Sequence, residues 1–280
     1  MTLKEWVLSV VEGADGIRLA TASGGQGDAD LLFVHAAGFC KEVWNPVISA
    51  MRSNPFSWLS MDLRGHGDSA MSEIPLQWDL LGRDVVALLN GRRELLGVGH
   101  STGGAAVARA AVASPNAFTH LVLIEPIILP APRQRVESHV STAARRRRRV
   151  FESREVAKER FSAGPFADWT PEALDAYLDG GFRQTDAGFE LKCSPEIEAE
   201  YFVSGFDHDT WDIVDTIDLP VTIVAGDRST THGEPYLGML ADRFSNVDVV
   251  VLEDATHLVP MEDPDRVAEV IDAVMSLPSV

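Results

Sequence analysis

The sequence predicts an α/β fold: a mostly parallel, twisted central sheet flanked by helices and interrupted by a mainly helical insertion. Three observations carry this. Short apolar runs alternate with helix-patterned segments from residue 31 to residue 125 and again after Leu219, as parallel strands joined by crossover helices require. Runs such as "LLFVH" (31–35) are apolar without alternation, the pattern of strands buried on both faces. Between 130 and 215 the alternation stops, and Thr170-Pro171-Glu172 and Ser194-Pro195-Glu196 each place a capping residue before a proline, a helix-start signal. The expected organisation is therefore a core of residues 1–129 and 216–280 with a helical cap at 130–215.

Each element has its own local reason. "WVLSVV" (6–11) and "GIRLATA" (16–22) flank a Gly-Ala-Asp-Gly turn and read as a hairpin on the sheet edge. "FSWLSMDL" (56–63), "RELLGVG" (93–99), "THLVLIE" (119–125), "VTIVAG" (221–226) and "VDVVVLE" (247–253) read as further strands. Helical spacing predicts helices over 41–51, 76–90, 103–113, about 234–244 and about 264–275.

Composition narrows the function. The chain has 280 residues, 45% hydrophobic, and a net charge of −18. That charge argues against nucleic acid and anionic membrane as partners, because both require neutralised phosphate. No run of 18 apolar residues exists for a membrane span, and the N-terminus is charged where a secretory segment needs an apolar stretch. Two cysteines, Cys40 and Cys193, demand no disulfide, so a reducing cytoplasm is the expected home. No Cys/His cluster has zinc spacing and no phosphate loop is present, so neither metal nor cofactor is expected. The charge is uneven: ten basic and four acidic residues lie between Arg133 and Arg160, which leaves about −24 on the remainder.

The chemistry is expected at "VGHSTGG" (98–104). Ser101 stands between a strand and a helix in a Gly-x-Ser-x-Gly pattern, where small neighbours let the chain turn sharply and push the hydroxyl out. The helix start supplies positive partial charge to an anion beside it. A base is available in His257, in the loop after the last strand. His66, in "DLRGHGDS", reads as a histidine that satisfies backbone groups, and His100 belongs to the turn. His120, His139, His208 and His232 have no comparable setting. Oxyanion donors are expected from the backbone N–H groups of Thr102 and Ala37, the latter in the small-residue loop His35-Ala36-Ala37-Gly38-Phe39.

"FVHAAGF", "DLRGHGDS", "GHSTGG" and "THLVPMEDP" together resemble the α/β-hydrolase superfamily over nearly the whole chain. The resemblance implies a serine nucleophile, a histidine base and an acid between them in chain order. Ala36 replaces the family's usual glycine. The family's commonest acid position, three residues after Gly226, holds Ser229, which cannot serve. Glu125, at the end of the strand after the nucleophile helix, is preferred as the acid, with Asp227 as the alternative. A carboxylate ending an apolar strand needs a partner, and His257 would be one.

The cap is expected to roof Ser101, and Phe161, Phe166, Trp169, Tyr177 and Phe182 are candidates to line a pocket. The run Arg145–Arg149 would point around a whole helix. It reads as a solvated basic face with an Arg148–Glu152 pair, or as a source of one or two arginines clamping a substrate carboxylate. The expected function is hydrolysis of a small carboxylic ester, lactone or thioester through an acyl-enzyme. The alternatives are a C–C bond hydrolase or cofactor-free perhydrolase with the same residues, and a ligand receptor built on the same fold. Epoxide and haloalkane hydrolases resemble it less, since they carry aspartate at this turn.

Overall fold

A computed structural model of the protein describes residues 6–52, 56–71, 74–130, 134–164 and 166–277. Residues 1–5, part of the stretch read against a secretory segment, and 131–133, at the expected start of the cap, lie outside them.

In chain order the first elements are strands β1 (Val7–Glu12), β2 (Arg18–Gly24) and β3 (Leu31–Val34), helix α1 (Asn45–Ala50), β4 (Trp58–Met61), α2 (Trp78–Leu89), β5 (Leu95–His100), α3 (Thr102–Ala113) and β6 (Phe118–Ile124). The middle segment holds α4 (His139–Arg145), β7 (Val150–Phe151), α5 (Arg154–Ser162), α6 (Pro171–Gly181), β8 (Phe182–Thr185), β9 (Gly188–Leu191), α7 (Pro195–Ser204) and α8 (Thr210–Ile213). Then follow β10 (Val221–Gly226), α9 (Tyr236–Ala241), β11 (Val247–Leu252), α10 (Val259–Glu262) and α11 (Pro264–Met275).

Eight strands form one sheet in the order β1-β2-β4-β3-β5-β6-β10-β11. The β1–β2 and β2–β4 pairs are antiparallel and all others parallel, which is the predicted mostly parallel α/β sheet with its hairpin edge. β3 shows why its run is apolar throughout. Leu31 and Phe33 enter the core on one face of the sheet, Leu32 and Val34 the core on the other. Each such side chain contributes about 1.5–3 kcal/mol by leaving water.

One expectation needs correction. The segment read as one helix over 41–51 opens as a 3₁₀ turn at Lys41–Trp44, and α1 begins only at Asn45 with Pro46 in its first turn. The 130–215 segment carries helices α4 to α8, and β7, β9 and β8 add a three-stranded antiparallel sheet to it. Its helix starts match their sequence signals. The Thr170 hydroxyl accepts from Ala173 N–H at 3.2 Å and the Ser194 hydroxyl from Ile197 N–H at 3.3 Å. This segment shares one hydrophobic cluster with the sheet, joining Phe161 and Tyr177 to Phe33 and Trp44.

Candidate active site

The parallel strands bring the candidate residues to one edge. His100 pairs with Ile124, and Ile124 with Val224. Ser101 and Glu125 therefore leave adjacent strands at the same level. Both have positive φ, 54° and 49°, a conformation that costs a non-glycine residue on the order of 1–3 kcal/mol. Hydrogen bonds from Ser101 N–H to the Ile124 carbonyl (2.8 Å), from Ile127 N–H to the Ser101 carbonyl (3.1 Å) and from Glu125 N–H to the Val224 carbonyl (2.9 Å) hold the two turns.

The glycines around Ser101 allow close backbone approach. A Cβ on Gly99 would lie 2.5 Å from the Gly103 carbonyl oxygen, and one on Gly103 would strike the Val34 carbonyl oxygen. Thr102 opens α3, so its N–H has no intrahelical acceptor. The loop after β3 packs on this first turn. Within it Gly38 N–H donates to His66 Nε2 (2.8 Å) and Phe39 N–H to the Ala36 carbonyl (3.3 Å); Ala37, between them, is buried. His35 fastens the loop's start, donating from Nδ1 to the Ala36 carbonyl (2.7 Å) and accepting at Nε2 from Leu63 N–H (3.1 Å). Burial pushes the pKa of both His35 and His66 down to about 3, so they are neutral ties at any ordinary pH.

His257 reaches Ser101 from the loop after β11. Its Nε2 is 3.0 Å from Ser101 Oγ, and its Nδ1 is 2.9 Å from Glu125 Oε2. A ring proton on Nδ1, facing the carboxylate, would leave the Nε2 lone pair free to accept a proton from Ser101 Oγ. His100 braces this loop by donating from Nε2 to the His257 carbonyl at 2.8 Å; burial pushes its pKa to about 3.

Glu125 is fully buried. Gly226 N–H donates to its Oε1 at 2.9 Å; Ser229 Oγ (2.6 Å) and Thr231 Oγ1 (3.0 Å) donate to Oε2. His232 Nδ1 lies 2.8 Å from the same oxygen. Burial by itself raises this carboxyl's pKa, but the hydrogen bonds and charge of His232 and His257 outweigh it and hold the group well below the usual carboxylate range. Asp227 is exposed, and its N–H donates to the Leu252 carbonyl. Of the two candidate acids, Glu125 is the one beside His257.

Glu125, His232 and His257 each bring an atom of metal-ligand type within 4.8 Å of the others. They fit a metal poorly, because the two His232 nitrogens face Glu125 Oε2 and the Pro126 carbonyl and leave no lone pair directed at an ion.

The aromatic residues expected to line a pocket are buried among themselves. Phe166 stacks on Trp169 and on Phe161, and Phe39 of the oxyanion-side loop meets Phe166, Trp169 and Tyr177 edge-on. They form the core that seats residues 130–215 on that loop. The arginine run is not one helical face either. α4 ends at Arg145, and the rest crosses a turn into β7. Arg145 pairs with Glu137, Arg148 with Glu152 and Arg149 with Glu190. Arg147 turns inward to Glu198 and the Tyr177 hydroxyl, and Glu198 in turn lies against Gly38.

Sequence reasoning passed over His100 and His232. His100 has no isolated signal. For His232 a faint one exists: Ser229 occupies the family's usual acid position, so an acid placed elsewhere has new neighbours in 229–232.

A serine on a strand-to-helix turn, beside an imidazole and a carboxylate at the carboxyl end of a mostly parallel sheet, places the protein in the α/β class. The profile of the "Alpha/beta hydrolase family" matches residues 31–270; the chain belongs to that family and is a hydrolase. It is similar to 3-oxoadipate enol-lactonase 2 of Acinetobacter baylyi, 24% identical with 94% of each chain covered. It is also similar to lipase LipV of Mycobacterium tuberculosis, 28% identical over 89% of this chain and 94% of the lipase. Among solved structures, E-2-(acetamidomethylene)succinate hydrolase superposes with a TM-score of 0.82 at 22% identity, over 97% of this chain and all of the other. Among the described residues no helix is long and apolar enough to cross a membrane.

Proposed function

We propose that the protein hydrolyses a small-molecule carboxylic ester, lactone or thioester through an acyl-enzyme. Ser101 Oγ attacks the carbonyl carbon while its proton passes to His257 Nε2. The N–H groups of Ala37 and Thr102 receive the oxyanion, and Glu125 stabilises the imidazolium. Collapse of the tetrahedral intermediate expels the leaving group, which takes the proton from His257. A water then gives its proton to His257 and attacks the acyl-serine carbonyl, and Ser101 Oγ leaves, taking that proton back from His257. Residues 130–215 act as a cap over Ser101, and the buried free cysteines, Cys40 and Cys193, suit a reducing cytoplasm.

The observation that carries this reading is the line from Glu125 Oε2 through His257 to Ser101 Oγ, at 2.9 and 3.0 Å. Relatives named as a lactonase and a lipase support the bond class. The test is a panel of p-nitrophenyl esters, thioesters and lactones together with a fluorophosphonate probe. We expect turnover of at least one substrate and rapid labelling, both lost in Ser101→Ala. A folded protein that never labels would instead be a receptor on this fold.

A further inference from the structure

Glu125 has one neighbour that the proposed chemistry does not use. His232 is fully buried, and both of its ring nitrogens face oxygen. Nε2 is 3.0 Å from the Pro126 carbonyl, Nδ1 is 2.8 Å from Glu125 Oε2 and 3.1 Å from Thr231 Oγ1. A carbonyl only accepts, so Nε2 carries a proton. Thr231 has one hydroxyl proton, and Glu125 Oε2 lies 3.0 Å away to receive it. A bare Nδ1 lone pair 2.8 Å from a buried carboxylate oxygen would be repulsive; a proton between them makes the contact attractive. With a proton on each nitrogen, the ring is an imidazolium.

We propose that His232 is a positioning residue of this site: a buried imidazolium that shares Glu125 Oε2 with His257 and so controls how strongly the carboxylate favours a proton on His257. This rests on the reading of Ser101, His257 and Glu125 as the reacting set. His232 already neutralises Glu125, so His257 gains less when it becomes charged, and the two rings repel once both are cations. Their centroids are 6.1 Å apart. At that distance, allowing for solvent around the partly exposed His257, the coupling corresponds to about one pH unit in the titration of His257.

The other groups facing the pair are few. Tyr236 and His232 meet in a T-shaped arrangement with centroids 5.2 Å apart, and Tyr236 commits its hydroxyl to the Ile128 carbonyl. His100 lies 5.3 Å from the His257 ring, and burial keeps it neutral. Ser229 and Thr231 carry no charge.

The experiment is histidine NMR on ¹⁵N-labelled Ser101→Ala protein, where no turnover is needed. At pH 7 both His232 nitrogens should show protonated shifts. Adding His232→Gln should raise the His257 midpoint by about one pH unit, because removing a neighbouring cation favours the charged ring. With Ser101 present, the acidic limb of fluorophosphonate labelling should move the same way, a shift that loss of packing alone would not cause. A lone-pair nitrogen on His232 at pH 7, or an unmoved His257 midpoint in the folded double variant, overturns the proposal. If His232→Gln does not fold, the ¹⁵N shifts of the intact ring decide it. Absence of labelling in the unmutated protein counts against the catalytic reading, and the NMR result still decides the coupling.

Discussion

The two sides of Ser101 use histidine in opposite ways. On the oxyanion side, His35 and His66 lie fully buried among backbone groups, each donating to a carbonyl and accepting from an N–H. Desolvation keeps them uncharged, and they act as rigid struts for the loop that carries Ala37. On the acid side, His257 and His232 converge on one carboxylate, with hydroxyls of Ser229 and Thr231 filling in. The residue type is the same; the partner decides what it does. A histidine between backbone groups serves as a neutral tie, whereas His257 and His232 each turn a ring nitrogen to the buried carboxylate of Glu125.

The sharpest break of this comparison is Glu125→Gln. It keeps the shape but removes the charge that favours His257 imidazolium. We expect kcat to fall by about 10³-fold or more, while Asp227→Asn stays within about twofold, measured on any turned-over ester. Equal losses would erase the distinction drawn between the two acids.

Acid stability comes next. The folded-state pKa values of His35, His66 and His100 are about 3, against about 6.5 in an unfolded chain. Between those values the unfolded chain takes up protons that the folded one refuses. Their contribution is therefore complete above about pH 6.5 and is lost as the pH falls through that window. Urea midpoints measured from pH 7.5 to 4.5 should decline steadily; a flat profile would mean that these rings are not held neutral.

A smaller effect is expected from His66→Leu, which leaves Gly38 N–H without its acceptor. We expect a loss of about 1–3 kcal/mol in urea unfolding, with kcat lowered more than KM is raised, and partial recovery in His66→Gln. The least consequential change is Arg148→Ala. Its pair with Glu152 is exposed, and the thermal midpoint should move by no more than about 2 °C.

The alternation of apolar runs was enough to read the sheet, because a strand buried on both faces must be apolar at every position, as Leu31–Val34 is. Ser101 was legible because only small neighbours permit its turn, and His257 because its loop resembles the family's. The β7–β9–β8 sheet was not legible. Phe182–Thr185 and Gly188–Leu191 are four-residue strands, too short for periodicity to separate them from the ends of helices. In the arginine run the Arg148–Glu152 pair was legible from its spacing; that Arg147 turns inward to Glu198 was not, because five like residues carry no period.

Local sequence by itself determined where the chain must turn sharply around Ser101, since steric limits on a turn act between residues close in the chain. Only tertiary structure decided that Glu125 and not Asp227 meets His257, and that His100 and His232 belong to the same assembly. Those choices depend on strand register and on loops more than 100 residues apart in the chain. A buried carboxylate draws in whatever donors the fold brings within 3 Å, and no local pattern in the chain records which donors those are.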